Sequence, residues 1–374
     1  MRNAKSLHLY LIFIITISVF GSCTSTRIAK NADIQIKYLD EYVIPDNLSY
    51  ENTKVGGLSG IDFDGEKYYA VADDPKNPRF YTLNIAIEHK KIDSVYITKV
   101  TEIKNDKSPL KEHWLDLESI LYHPTSKSFT LSSEGSINRK KDPSIFNINE
   151  EGKFNYFYNL PEYFFTTSEN HPRNNGVFES LSHGINPNII WTATELPLIL
   201  DGPAPKLYKT KSPVRFTAFD RNKKKAIAQY TYPLLQIKKI PFLPFAVSGV
   251  TDILMYDENS FFVLERAYSA GHKNHGNNVY LFLANKQKAS NTLEEVTLKG
   301  KLNKKIIPME KQLLLNFKHI KKQLTNKQID NIEGICYGPT LPNGNKTLLV
   351  IADDNFNAYS KQLNQIILLE LVSK

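Results

Sequence analysis

Residues 116–135 read DLESILYHPTSKSFTLSSEG, and residues 178–195 read FESLSHGINPNIIWTATE. In each stretch a Glu-Ser pair (Glu118-Ser119, Glu179-Ser180) opens a short apolar run, a polar turn follows, and a second apolar run ends on Glu134 or Glu195. The interval from first to last glutamate is sixteen residues in both (134 − 118 and 195 − 179). The same plan recurs in LSGIDFDGEKYYAVADD (58–74), VSGVTDILMYDENSFFVLER (247–266) and NIEGICYGPTLPNGNKTLLVIADD (331–354). Repetition of one small unit along a chain marks a repeat architecture, because a single unit cannot bury its own apolar faces and must stack on its neighbours.

Each unit continues with further runs of β-branched and aromatic residues bounded by Gly, Asn, Asp and Pro, such as RFYTLNIAI (79–87), PSIFNIN (143–149), VRFTAFD (214–220) and NNVYLFLA (277–284), which is strand composition. The first three units begin at 58, 116 and 178, roughly 60 residues apart. Four strands at that spacing read as the blade of a β-propeller. The fold expected is therefore all-β, a propeller of five four-stranded blades. A degenerate sixth blade within residues 280–325 and a pair of packed β-sandwiches stay open as alternatives. The fifth unit is one strand short, and IQIKYLDEYVIP (34–45) belongs to no unit; this N-terminal strand is expected to complete the last blade and close the ring, leaving no free edge. The best candidate for a helix or a long insertion is the lysine-rich stretch from Ile306 to Lys327.

At the N-terminus, Arg2 and Lys5 precede an apolar run from Leu9 to Phe20 that stops at Gly21-Ser22-Cys23. A positive start, a short apolar segment and small residues before a cysteine form a secretory signal with lipoprotein processing; about 20 apolar residues would be needed for a span. The expected organisation is a signal peptide over 1–22, acylation of Cys23, a tether over 23–32 and the propeller over 33–374. The expected partner of Cys23 is a lipid bilayer, and with no Asp among Thr24, Ser25 and Thr26 the expected location is the outer membrane, facing the periplasm. Removing 1–22 takes away two positive charges and no negative ones, so the formal +8 becomes +6. The lysines behind that excess are scattered and accompany no nucleic-acid motif, so nucleic acid is not an expected partner. With Cys23 acylated, Cys336 is the only other cysteine and no internal disulfide can form. Stability must come from a buried core, for which 41% hydrophobic content suffices.

The series SGIDF…AVADD, DLESI…SSEGS, RNNGVFESLS, FFVLER and NIEGICYGP…LLVIADDNF resembles the phytase-like family, described as having esterase-like activity of phytase. The resemblance runs from Leu58 to Leu371. It implies an exported ester or phosphoester hydrolase and, through the family's relation to calcium-dependent propeller phytases, a bound divalent cation, Ca²⁺ before Mg²⁺. Glu118-Ser119 and Glu179-Ser180 depart from the Glu-Gly usual in the family, a mild change that leaves the turn possible.

In a propeller, a residue type recurring at one place in every blade forms a ring around the axis. The recurring type here is carboxylate. One set is Glu118, Glu179 and Glu333, with Ser59 and Ser248 in the remaining units; the other is Asp73, Asp74, Glu134, Glu195, Glu265, Asp353 and Asp354. Packed carboxylates repel unless a hard cation offsets them, and Ca²⁺ and Mg²⁺ take six or more oxygen ligands. Such an ion can polarise an ester and acidify a bound water. Arg79, Arg173 and Arg266 adjoin the repeated acids and are candidates for binding a small anionic ester or phosphoester ligand; Asn355 is a further substrate-binding candidate. Glu118, Glu179 and His183 are the candidate catalytic groups. His272 and His275 lie in a Gly/Asn-rich loop, read as solvated. A G-x-S-x-G elbow, H-E-x-x-H, zinc-spaced Cys/His and a phosphate loop opening a helix are all missing from the sequence, which argues against a serine hydrolase of that fold, a zinc protease and a nucleotide cofactor. The leading expectation is a metal-dependent ester or phosphoester hydrolase. The alternatives are a non-catalytic propeller binding a ligand or protein, and a lactonase-type hydrolase drawing on Asn355 and Asn175.

Overall fold

The repeats become five antiparallel four-stranded sheets arranged around one axis, in a computed structural model that describes residues 34–357 and 361–373. The signal, Cys23 and the tether lie outside the described residues. Blade I consists of Leu58–Phe63, Tyr68–Ala72, Arg79–Glu88 and Lys91–Glu102. Blade II consists of Leu117–His123, Ser128–Ser133, Ser144–Asn149 and Phe154–Phe157. Blade III consists of Phe178–His183, Ile189–Thr194, Pro213–Asp220 and Lys225–Pro233. Blade IV consists of Ala246–Met255, Ser260–Ser269, Asn277–Asn285 and Glu310–Asn316. Blade V takes Asn331–Tyr337, Thr347–Asp353 and Asn364–Ser373 from the C-terminal end. Its fourth strand is Ile34–Ile44, which pairs antiparallel with Asn364–Ser373 along its full length. The N-terminal strand thus closes the ring, and every blade strand lies within 34–373.

Two expectations are corrected. Residues 280–325 form no sixth blade. They supply the third and fourth strands of blade IV and the long connection between them. The stretch Ile306–Lys327 is not a helix: it holds the strand Glu310–Asn316 and three short 3-10 turns. The one lysine on that strand, Lys311, is buried in the blade, while Lys318, Lys321, Lys322 and Lys327 lie in the turns that follow it.

The core consists of five apolar layers, one at each seam between neighbouring blades. Both faces of a middle strand are therefore covered, which explains continuous apolar runs such as Phe261–Leu264, all fully buried. Each such side chain contributes about 1.5–3 kcal/mol on burial. The single described cysteine, Cys336, is free and buried in the layer between blades V and I.

At the axis the five inner strands meet in ring order. The approach is close enough to dictate side-chain size: a Cβ on Gly60 would lie 2.5 Å from the Glu118 carbonyl oxygen and 2.7 Å from the Ser119 Cα. Small or short residues stand at the matching position of each blade, namely Gly60, Ser119, Ser180, Asp252 and Gly334. The connections on the two faces differ. Where the inner strands begin, the loops are long (103–116, 158–177, 195–212, 234–245, 317–330). The opposite face carries tight hairpins such as 64–67, 89–90 and 124–127, while the long connection 286–309 starts there and reaches across to bond Asn170 and Asp201 in the long loops. Elaboration on one face of a regular scaffold is where function is expected.

Candidate metal centre at the propeller axis

In every blade the pairing of inner and second strands slips by one residue at the same place, at Leu58/Gly60, Leu117/Ser119, Phe178/Ser180, Val250/Asp252 and Ile332/Gly334. This is a β-bulge, which sets two residues against one and re-aims a side chain. The bulged residues are Ser59, Glu118, Glu179, Thr251 and Glu333. Where no glutamate stands, the hydroxyl ties the blade to the next: Ser59 Oγ donates to the Leu117 carbonyl at 2.9 Å and Thr251 Oγ1 to the Ile332 carbonyl at 3.2 Å.

The bulges correct the reading of the fourth unit. Thr251, not Ser248, matches Glu118, because the inner strand of blade IV starts early and its VSG sequence imitates the SG of blade I. The second-strand position shifts with it. Matching Asp73, Glu134, Glu195 and Asp353 is Arg266, not Glu265. Glu265 turns into the blade, where it accepts from the Tyr232 hydroxyl at 2.5 Å, from the Leu235 N–H at 3.0 Å and from the Lys311 ammonium. Both partners of this ion pair are buried, at 1% and 2% side-chain exposure. Burial depresses the Lys311 pKa although Glu265 opposes it. Lys311→Met would leave the Glu265 charge unpaired and is expected to destabilise the fold by about 3–5 kcal/mol, read in urea unfolding.

The axis therefore gathers Asp73, Glu118, Glu134, Glu179, Glu195, Glu333 and Asp353, and with them Asp116, which the sequence reading missed. Two groups have carboxylate oxygens all within 4.8 Å of one another: Asp73, Asp116 and Glu118, and Glu118, Glu134 and Glu179. Glu118 belongs to both. Asp116 precedes the bulge by two residues, and Asn331 holds that place in blade V, donating to Glu333 at 2.8 Å. A polar residue two before the repeated glutamate was the available signal.

Among the described residues one cation is hydrogen-bonded to this ring. Arg266 Nη2 donates to Glu333 Oε1 at 3.0 Å, while its Nε is buried and donates to no protein acceptor. The ring also accepts from neutral donors, among them the Val177 N–H, which gives Glu134 Oε1 a 2.5 Å bond. Eight carboxylates against one guanidinium leave a large unbalanced charge. Burial, then mutual repulsion, pushes Glu118, Glu179 and Glu333 well above the usual carboxylate range. Burial and the hydrogen bond to Asp116 do the same for Asp73. Burial opposes the charge on Arg266, but Glu333 and Glu195 outweigh it and hold the guanidinium ionised.

The remaining candidates lie elsewhere. Asp74 pairs with Arg79 at 2.7 Å in the turn after the second strand of blade I. Asp354 accepts from the Gly57 and Phe356 N–H groups, tying blade V to blade I. Arg173 donates to the carbonyls of Pro197 and Gly202, both at 3.0 Å, and pins a loop. Asn355 borders the ring through its N–H, which donates to Asp353 Oδ1 at 2.6 Å, while its side chain bonds Gln362. Asn175 adopts a positive φ of 47° in a turn. His183 sits at the far end of its strand from Glu179, four residues and about 13 Å away, bonded to Asp62 at 3.1 Å. It does not share the site with Glu118 and Glu179. His275 is exposed in its loop and His272 half-buried there, bonded to the Ile240 carbonyl.

The donor set is all hard oxygen, with a shared central carboxylate and charge to offset. It fits Ca²⁺ or Mg²⁺ better than a metal wanting nitrogen or sulfur.

These features define a class, a five-bladed β-propeller with a bulge-built carboxylate ring on its axis. The chain belongs to the phytase-like family, "esterase-like activity of phytase", whose model matches residues 53–356. No curated protein matches the sequence. Among solved structures it is similar to a putative glycoside hydrolase from Bacteroides ovatus (10% identity, 92% of this chain and 94% of that one, TM-score 0.43). It is similar also to an exo-beta-1,3-galactanase from Phanerochaete chrysosporium (8%, 89% and 64%, 0.46) and to a periplasmic gluconolactonase from Pseudomonas aeruginosa (12%, 85% and 72%, 0.33). Likenesses this distant carry no argument about activity.

Proposed function

We propose that this protein is an exported lipoprotein, anchored through Cys23, that hydrolyses an anionic ester or phosphoester with the help of a divalent cation, Ca²⁺ in first place, held on the propeller axis. The observation carrying the proposal is the pair of carboxylate triads that share Glu118. A bound cation supplies polarisation of the scissile group and a more acidic water. Glu118, Glu134, Glu179, Asp73 and Asp116 are the residues that would hold it. Glu195, Glu333 and Asp353 lie outside both triads; Glu333 is held by Arg266 and Asp353 by the Asn355 N–H, so Glu195 is the carboxylate assigned to accept the proton of the attacking water. Arg266, with its unused buried Nε, is placed to bind an anionic oxygen of the substrate.

A second reading is favoured by burial. Glu118 is 7% exposed, Glu179 9% and Glu195 6%, leaving a narrow approach; an ion there would tie the blades together in a propeller that binds without catalysing. Hydrolysis of p-nitrophenyl phosphate and p-nitrophenyl acetate, with EDTA and with added Ca²⁺, separates the two. Catalysis predicts ion-dependent turnover that falls about 100-fold or more in Glu195→Gln. An ion that binds but supports no turnover of either ester leaves the structural reading.

A further inference from the structure

Four loops on the acidic face of blades III to V form one continuous surface. The loop over 236–245 reads QIKKIPFLPF, and its apolar side chains point outward: Ile240 is 69% exposed, Phe242 77%, Leu243 59% and Phe245 57%. Beside it the loop over 203–211 presents Leu207 and Tyr208, also exposed, and the two are joined by the Ile237 N–H donating to the Lys206 carbonyl. The loop over 270–276 supports the tip from behind, His272 stacking on Phe242 with ring centres 4.2 Å apart. The segment 317–328 completes the collar, Lys321 meeting His275 at 3.4 Å. Single exposed apolar residues are ordinary; four large ones on one short loop are not.

Charge and backbone chemistry together identify the occupant. The four segments contain ten lysines and no aspartate or glutamate. Lys239, Lys318 and Lys321 stand near enough that, after burial, mutual repulsion lowers the Lys239 pKa. An apolar tip inside a cationic collar is the chemistry of a surface that inserts among anionic headgroups. The tip is also unusually free of unsatisfied donors. Pro241 and Pro244 have no N–H, the Phe242 and Leu243 N–H groups both donate to the Ala270 carbonyl, and that of Phe245 donates to Leu243. Entering a medium without water thus leaves no donor unbonded from Pro241 to Phe245.

We propose that this loop cluster docks the propeller on an anionic lipid bilayer, with Ile240, Phe242, Leu243 and Phe245 entering the interfacial layer and the lysines contacting headgroup phosphates. The docked protein turns its acidic axis toward the bilayer, since both features occupy the same face. The proposal is independent of the metal centre.

The test uses residues 33–374, which hold the whole ring and carry no acyl chain, in sedimentation with phosphatidylcholine vesicles and with equimolar phosphatidylcholine–phosphatidylglycerol vesicles. Binding is expected on the anionic vesicles, weakening with salt and unaffected by EDTA. Phe242→Ser with Leu243→Ser, or Lys238→Glu with Lys239→Glu, should weaken it by about tenfold or more. Phe242→Trp reads insertion directly, as a blue shift of its emission on anionic vesicles relative to the parent protein. No binding to anionic vesicles, no blue shift, or binding indifferent to the serine pair overturns the proposal. So does a dimer in solution that the serine pair dissociates, which would assign the patch to a second copy of the chain.

Discussion

Adding Ca²⁺ to the EDTA-treated propeller is expected to raise its melting temperature by about 5 °C, and Glu118→Gln to abolish the rise. A ligand that binds only the folded state stabilises it by about 2.7 kcal/mol at a hundred times its dissociation constant. For a domain this large a kilocalorie moves the midpoint by about 2 °C. Glu118 is the position to change because it belongs to both triads, so neutralising it damages each at once. The glutamine keeps the size of the side chain and relieves repulsion in the ion-free ring. The variant should therefore melt no lower than the wild type in EDTA, and differ from it only when the ion is present. A rise that persists in Glu118→Gln would place the ion elsewhere, and no response of the wild type to Ca²⁺ or Mg²⁺ would remove the metal-dependent reading.

The second large effect is a reversed pH dependence. Burial pushes Glu134 up to about 7, Glu195 to about 8 and Asp353 to about 6. A carboxyl with a folded pKa above its unfolded value binds a proton more tightly in the folded state. Between the two values the folded protein holds protons that the unfolded chain has lost, so stability falls as pH rises. In EDTA the propeller should therefore lose stability steadily as pH rises from 5 to 8, because the folded state gives up protons there that the unfolded chain has already lost. With Ca²⁺ present the ionised carboxylates bind the cation, and the slope should flatten or change sign. Urea titrations at several pH values, with and without the ion, measure this. Equal slopes in both conditions would show that no ion is held by these groups.

The acidic ring was readable because identical constraints act on each blade. A glutamate at the bulge and an acid after the second strand recur with sixteen-residue spacing in blades II and III, and this periodicity survives without any structure. Blade IV escaped because its inner strand begins at Ala246, so that Ser248-Gly249 imitates Ser59-Gly60 while the bulge falls three residues later, at Thr251. Local similarity aligned the strings; hydrogen-bond register, which alone sets the face a side chain takes, aligned the blade. The one-residue difference between Glu265 and Arg266 then decides between a buried blade-internal ion pair and the cation bonded to the ring. His183 illustrates the same limit. It lies four residues from Glu179 in sequence, but an extended strand carries those residues to opposite ends of the axis.

Composition and periodicity alone pointed to an all-β propeller of four-stranded units and to the N-terminal strand that closes the ring, because alternation and turn chemistry are local and repeat with each blade; the exclusion of a sixth blade and the fourth strand of blade IV came from the tertiary structure. Which carboxylates converge, the participation of Asp116, the exclusion of Asp74, Asp354 and Glu265, and the joining of four distant loops into one lysine-collared apolar surface were decided only by tertiary structure. These depend on bulges, register and the stacking of blades, which bring together residues separated by tens to hundreds of positions and leave no mark in the spacing of any one segment.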